Sequence, residues 1–219
     1  MPVPALPDHN VDQMKFVLDL RRRGIMDAAV LRAMEEVPRE KFVMPAHAGS
    51  AYSDCALPIA CGQTISQPYV VAYMTEQLEV QPQHHVLEVG AGSGYQAAIL
   101  SRLAARVTSI ERYRTLADAA RIRLKALHYD NVDIILGDGM AGAMERAPFD
   151  RIIVTAAAES VPQTLIEQLA VGGIMVLPLG LHDEYQTLVK IVRADHGVKR
   201  TELIDVRFVP LLPGQAQEL

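Results

Sequence analysis

A short apolar run that leads directly into closely spaced glycines limits what this chain can fold into more than any other feature. Val86-Leu87-Glu88-Val89 is followed by Gly90-Ala91-Gly92-Ser93-Gly94 and then by a helical pattern. A buried strand, a glycine turn and a helix in this order are typical of a doubly wound α/β fold, where the turn binds a nucleotide-like ligand. The dinucleotide fingerprint has its third glycine one residue later, so this spacing disfavours a dehydrogenase.

Strands and helices alternate along the rest of the chain. We predict helices at Val11–Arg23, Tyr69–Leu78, Tyr95–Ala104, Arg114–Leu127 and Pro162–Leu169. A further helix, capped by Asp27, should run through Val30, Leu31 and Met34 and end before Pro38. We predict strands at Val86–Val89, Val107–Ile110, Val132–Leu136, Arg151–Thr155, Ile174–Leu179, Thr187–Arg193 and Thr201–Val209. Strands separated by helices pair in parallel, whereas the last two follow each other without a helix and should be antiparallel. The predicted fold is a doubly wound, mostly parallel seven-stranded α/β sheet with extra N-terminal helices and an antiparallel C-terminal strand pair.

Length and composition favour one domain. The chain has 219 residues, of which half are hydrophobic, and this is sufficient for one buried core. We expect residues 1–80 to contain N-terminal helices and a substrate loop, and residues 81–219 to contain a cofactor-binding core and the C-terminal strands. Between Phe42 and Pro68 the chain is rich in Pro, Gly, Ser and Ala without a clear period. This composition predicts a long ordered loop, a kind of segment that is often functional.

Charge and residue usage disfavour several classes of protein. A net charge of -5 disfavours nucleic-acid binding, which needs a surplus of Lys and Arg. Every hydrophobic segment is too short for a membrane helix, and Met1 to Asn10 lack the pattern of a secretory signal, so we expect a cytoplasmic protein. The histidines are scattered, and Cys55 and Cys61 match no zinc or redox pattern. We therefore expect no metal and two reduced, partly buried thiols.

Two acidic residues at strand ends extend the ligand site. Glu111 follows the strand after the glycine turn, where a carboxylate can accept both hydroxyl hydrogens of a ribose diol. Asp138 lies in Gly137-Asp138-Gly139 after the third strand and can accept a hydrogen bond from the exocyclic amine of adenine. Each feature alone is a common turn or surface charge. Together, at successive strand ends, they predict a site for one adenosine.

This arrangement resembles that of class I S-adenosylmethionine-dependent methyltransferases. The resemblance implies S-adenosyl-L-methionine as the cofactor, S-adenosyl-L-homocysteine as its product, and a role for Glu88 in orienting the turn and the methionine part. The residues that it assigns to cofactor binding are Glu88, Gly90, Ala91, Gly92, Ser93, Gly94, Glu111, Asp138 and Gly139.

The fourth strand narrows the choice among methyltransferases. It runs into Val154-Thr155-Ala156-Ala157-Ala158, which lacks the Asn/Asp-Pro-Pro-aromatic motif used to methylate base amines. Catechol-type enzymes place acidic metal ligands in this region, and here only Glu159 is available. Both subclasses are disfavoured.

The loop before the glycine turn, Gly62-Gln63-Thr64-Ile65-Ser66-Gln67-Pro68, resembles that of the protein-L-isoaspartate O-methyltransferase family. The resemblance extends over nearly the whole chain and includes Arg23 to Ile25, Val37 to Glu40, Phe42-Val43, Val86 to Gln96, Gly137 to Gly139, Ala147 to Asp150 and Val206 to Leu211. It implies a repair enzyme that methylates the free carboxylate of L-isoaspartyl, and more weakly D-aspartyl, residues in damaged proteins. The methyl ester then closes without enzyme to a succinimide, which hydrolyses partly to aspartate. Cys61 departs from the pattern, where a smaller residue is expected.

The resemblance implies that Ser66 is the essential catalytic serine, and we interpret it as a group that orients the acceptor carboxylate. Its alternative role is to cap the helix that starts near Pro68. We predict that Thr64, Ile65, Ser66, Ala156 and Ala157 contact the substrate, with main-chain groups of Ala156 to Ala158 binding an extended peptide. Core packing explains the three alanines equally well.

Two other functions stay open at this point. One is a methyltransferase of the same fold that acts on one dedicated peptide or a small-molecule acid. The other is an adenosine-binding module without catalysis, such as a regulator that senses the cofactor. For the favoured repair enzyme we expect a monomer whose partners are damaged proteins and peptides, without nucleic acid, membrane or metal.

Overall fold

The computed structural model describes residues 9–181 and 184–216, so the first eight residues, part of the basis for the cytoplasmic expectation, lie outside it. The helices are α1 (His9–Arg22), α2 (Ala28–Glu36), α3 (Pro68–Leu78), α4 (Tyr95–Ser101), α5 (Arg114–Ala126) and α6 (Gln163–Gln168). The strands are β1 (Leu57–Pro58), β2 (Thr64–Ile65), β3 (His85–Val89), β4 (Arg106–Glu111), β5 (Val132–Leu136), β6 (Phe149–Val154), β7 (Leu169–Leu179), β8 (Gln186–Arg193) and β9 (Val198–Val206). Among these residues no helix is both long and apolar enough to span a membrane.

Strands β3 to β9 form one sheet in the order β5-β4-β3-β6-β7-β8-β9. Pairing is parallel from β5 through β7, and β8 and β9 are antiparallel to their neighbours. The predicted seven-stranded sheet and its antiparallel end are confirmed. Because β3 lies between β4 and β6, the carboxyl ends of these three strands, and the loops that follow them, meet at one edge.

Apolar residues on the two faces of the sheet form two buried clusters. The larger cluster contains Phe16 of α1, Ile99 of α4 and Leu124 of α5, and the smaller contains Leu87 of β3 and Leu165 of α6. Helices therefore cover both faces, as the doubly wound prediction requires.

Three local expectations need correction. The predicted loop from Phe42 to Pro68 contains a small antiparallel hairpin of β1 and β2. Strand β9 ends at Val206 instead of Val209, because the following residues form hydrogen bonds elsewhere in the fold. Both cysteines are exposed, since they lie in the surface loop that carries the hairpin.

Candidate active site

The glycine turn brings bare main chain to the edge of the sheet. Gly90, Gly92 and Gly94 have φ angles of +100°, +52° and +86°, a region that side chains disfavour. A Cβ atom on Gly90 would lie 2.4 Å from Oγ1 of Thr155. The Thr155 hydroxyl lies 3.0 Å from the carbonyl oxygen of Val89 and 2.7 Å from that of Gly90, where it can donate a hydrogen bond. Thr155 therefore fixes the turn in a shape that only glycine permits.

Glu111 lies at the end of β4 with its carboxylate held in place. One oxygen accepts a hydrogen bond from the main-chain N–H of Gly92 at 2.8 Å, and the other accepts one from that of Tyr113 at 3.0 Å. Each carboxylate oxygen can accept a second hydrogen bond. The geometry therefore leaves Glu111 able to accept from a ribose diol, and this role stays a prediction.

One cleft joins the glycine turn to the β1–β2 hairpin. Its empty volume is about 890 Å³, part of which is open to solvent. The lining residues are Gln63, Thr64, Ile65, Ser66, Val71, Met74, Val89, Gly90, Ala91, Gly92, Ser93, Tyr95, Gln96, Ile110, Glu111, Arg112, Tyr113, Gly139, Thr155, Ala156 and 208–212. Only Glu111 and Arg112 of this lining carry a formal charge, and they are adjacent in sequence. The hairpin therefore adds uncharged groups to the cleft.

Ser66 is half-buried in the cleft wall, and its hydroxyl makes no hydrogen bond to any described residue. Helix α3 begins at Pro68 after Gln67, without a cap from its own preceding side chain. Asp54 takes that role, since its carboxylate accepts from the main-chain N–H of Tyr69 at 2.9 Å and from the side chain of Gln67 at 2.8 Å. The capping alternative for Ser66 is therefore wrong, and its hydroxyl is available to a ligand.

The predicted main-chain pairing of the alanines with a peptide needs correction. Ala157 donates its N–H to the carbonyl of Val209 at 2.8 Å and accepts from the N–H of Leu211 at 2.7 Å. Ala158 is likewise paired, with the carbonyl of Pro178 and the N–H of Gly180. Both residues are thus occupied by the protein itself, whereas Ala156 lines the cleft.

Glu88 and Asp138 lie outside the cleft lining. Glu88 is fully buried, one of its oxygens accepts from the Ser109 hydroxyl, and the other has no hydrogen-bond partner among the residues that the structure describes. Burial raises the pKa of Glu88 to about 8, with the Ser109 hydrogen bond lowering it and the nearby charge of Glu111 raising it. Asp138 accepts from the main-chain N–H of Met140 at 2.8 Å and so shapes the loop that places Gly139 in the cleft. Their roles in cofactor binding stay predictions.

Sequence reasoning missed the contribution of the C-terminal segment to the cleft. Residues 208–212 line it, and the guanidinium of Arg112 lies 3.3 Å from the carbonyl oxygens of Pro213 and Gly214. Ala216 donates its N–H to the carbonyl of Arg112 at 3.0 Å. The segment from Val206 to Leu211 was part of the family resemblance, but no periodicity indicates that it returns to the sheet edge.

Within residues 9–181 and 184–216, no group of three or more His, Cys, Asp or Glu could hold a metal ion.

Comparison with known proteins identifies close relatives. The model of the protein-L-isoaspartate(D-aspartate) O-methyltransferase family matches residues 11–216. A protein-L-isoaspartate O-methyltransferase from Rhodopseudomonas palustris is 57% identical over the full length of both chains. One from Parvibaculum lavamentivorans is 59% identical over 98% of this chain and 97% of its own.

Solved structures of proteins with the same enzyme name are similar to this chain. A protein-L-isoaspartate O-methyltransferase is 30% identical with a TM-score of 0.82, over 90% of this chain and 65% of its own. A structure from Plasmodium falciparum, described as an enzyme of the same name in complex with S-adenosyl-L-homocysteine, is 28% identical with a TM-score of 0.80. It is matched over 91% of this chain and 98% of its own.

Proposed function

The chain belongs to the protein-L-isoaspartate(D-aspartate) O-methyltransferase family, and we propose that it methylates the free carboxylate of L-isoaspartyl and D-aspartyl residues in damaged proteins and peptides. S-adenosyl-L-methionine is the cofactor, and S-adenosyl-L-homocysteine is its product. One observation carries this proposal. The glycine turn and Glu111, which suit an adenosine, share a cleft with Ser66, whose hydroxyl is available to an acceptor.

The described residues fit this cofactor. The turn from Gly90 to Gly94 has no side chain at the three positions where the backbone is left-handed, and Glu111 presents an oriented carboxylate beside it. We assign cofactor binding to the turn, Glu111 and Gly139, with Glu88 and Asp138 acting from behind the cleft wall. When bound, the cofactor supplies a methyl group on a positively charged sulfur.

The acceptor needs orientation more than activation. A carboxylate with a pKa of about 3.5 is ionised at neutral pH and is already a nucleophile, so no general base is required. Ser66 donates a hydrogen bond that directs one carboxylate oxygen, and Thr64 supplies a second hydroxyl. Ile65 and Met74 exclude water that would otherwise solvate the anion. The near absence of charge in the lining suits a reaction in which an anion and a cation become neutral products.

We propose one domain, in which residues 1–80 hold the acceptor and residues 81–219 bind the cofactor. Damaged proteins and peptides are its partners, and we propose a monomer in the cytoplasm that needs neither metal nor nucleic acid. Ala156 is the one alanine of its group that we retain as a substrate contact.

The experiment that tests this function uses cofactor labelled on its methyl group. Two peptides that differ only in one isoaspartyl or aspartyl linkage are incubated with purified protein, and base-labile methyl ester is counted. We expect label only on the isoaspartyl peptide. Label on the aspartyl peptide instead would favour a methyltransferase with a different acceptor, and cofactor binding without label on either peptide would leave a dedicated acceptor or an adenosine-binding module.

A further inference from the structure

Arg39 is a fully buried arginine that joins two distant points of the chain. Its Nε donates to the carbonyl of Ala51 at 2.8 Å, and its Nη2 donates to the carbonyl of Ser66 at 2.7 Å. These carbonyls lie at the two ends of the loop that carries the β1–β2 hairpin. One planar guanidinium therefore closes the base of this loop.

The charge of Arg39 has no counter-ion among the described residues. No carboxylate of residues 9–181 and 184–216 lies within ion-pair distance of the guanidinium, and Nη1 has no hydrogen-bond partner there. The guanidinium lies over the ring of Tyr95, 4.8 Å from its centroid. Burial lowers the pKa of Arg39, yet the side chain keeps its proton because arginine does not deprotonate in proteins. Burial of a charge without a counter-ion is unfavourable.

Two residues that contact Arg39 belong to the lining of the cleft. Ser66 and Tyr95 both line it, so the guanidinium lies directly behind the wall where the acceptor is expected. The Ser66 hydroxyl forms no hydrogen bond with the described part of the chain that would fix the residue. The Nη2 bond to its carbonyl therefore fixes the main chain of Ser66 directly, between the hairpin pairing at Ile65 and the start of α3.

We propose that Arg39 is a positioning residue, whose rigid fork holds the two ends of the hairpin loop so that the Ser66 hydroxyl meets the acceptor carboxylate. This inference rests on the proposed function and adds a residue to it. A purely structural arginine would stabilise the fold without a selective effect on the acceptor. A positioning arginine should affect acceptor turnover and hairpin order while cofactor binding persists.

The test compares Arg39→Lys and Arg39→Met with the matched control Arg193→Met. Arg193 also donates to main-chain carbonyls, those of Ile166 and Glu167 at 3.0 Å and that of Leu169, but it lies outside the cleft. The measurements are kcat and KM for an isoaspartyl peptide, the Kd for S-adenosyl-L-homocysteine, and hydrogen exchange of the hairpin amides.

Lysine keeps the charge but lacks the planar fork that donates in two fixed directions. For Arg39→Lys we expect kcat/KM to fall about 100-fold, the loss that a misplacement of about 1 Å can cause, with faster exchange in the hairpin. The Kd for the cofactor product should stay within about three-fold of the wild-type value, since a positioning defect spares cofactor contacts. Arg193→Met should lower Tm and leave hairpin exchange unchanged.

Near-normal turnover and unchanged hairpin exchange in Arg39→Lys would overturn the inference, as would an equal loss of cofactor binding. Should Arg39→Met not fold, Arg39→Lys decides alone. An inactive wild-type protein would refute the proposed function instead, and hairpin exchange in the variants would still test the positioning role separately.

Discussion

Replacing Glu88 by glutamine should change how stability depends on pH. Glu88 is fully buried on β3, opposite Ser109 of β4, and its raised pKa of about 8 compares with 4.5 for an exposed glutamate. A carboxyl group whose pKa is higher in the folded chain contributes stability below the unfolded value. That contribution is lost as the pH rises through the folded value.

The size of the effect follows from these two pKa values. Between pH 4.5 and about 8 the folded chain binds one more proton at Glu88 than the unfolded chain does. Each pH unit in this window lowers the free energy of unfolding by about 1.4 kcal/mol. From pH 5 to pH 7 the loss is about 3 kcal/mol, or roughly 6–12 °C in Tm for a chain of this size. Glutamine has the same shape, can still accept from Ser109, and does not titrate.

The assay is urea unfolding of the wild-type protein, Glu88→Gln and the control Glu35→Gln at several pH values from 5 to 8. Glu35 is exposed and takes part in none of the ion pairs among the described residues, so this control shows the effect of the same chemical change at the surface. We expect the stability of Glu88→Gln relative to wild type to rise steadily across this range. Parallel curves for these two proteins would refute the reasoning, because they would show that Glu88 titrates alike in both states.

Three further substitutions test the site. Ser66→Ala should lower kcat for the isoaspartyl peptide by about 100-fold with Tm nearly unchanged, because the hydroxyl bonds to no described residue; a loss of stability with normal turnover would contradict this. Asp54→Ala should lower the free energy of unfolding in urea by about 1–2 kcal/mol, since it removes the cap of α3 together with an exposed ion pair to Arg23, and an unchanged midpoint would contradict the capping role. Glu111→Gln should weaken S-adenosyl-L-homocysteine binding by about 10- to 100-fold in calorimetry, through loss of a charged acceptor, whereas unaltered affinity would exclude Glu111 from the ribose site.

The sheet could be predicted from the sequence, because each feature that determines it lies within a short segment of the chain. Apolar strands, the glycine turn and the missing helix before the last strands each occupy a short continuous segment, and the structure has them in the predicted order. Glu111 could also be placed, since a residue at a strand end must lie at the same edge as the turn. The direction in which a side chain points at this edge was harder to predict. Asp138 lies at the predicted edge, but its carboxylate bonds to Met140 and does not line the cleft.

Contacts between distant segments could not be predicted from patterns. Asp54 caps a helix that begins after Gln67. The hairpin separates the two residues along the chain, so the sequence does not show that they are in contact. The same limit explains why the prediction for Ala157 was wrong. Its main-chain groups could bind an incoming peptide as far as the sequence shows, but in the structure the segment beyond Val206 occupies them. Main-chain hydrogen bonds of this kind do not require particular side chains, so the sequence does not indicate them.

The position of Ser66 depends on such contacts more than on its own side chain. Asp54 fixes the start of α3 on one side of it, and Arg39 holds its carbonyl from behind the cleft wall. The serine hydroxyl has no partner among the described residues, and this costs little because the residue is only half-buried in a cleft that is partly open to solvent. A group intended to orient a carboxylate must be placed by its neighbours while its own donor stays available. The contacts around Ser66 satisfy both requirements, whereas a helix cap would have used the hydroxyl and left the acceptor without it.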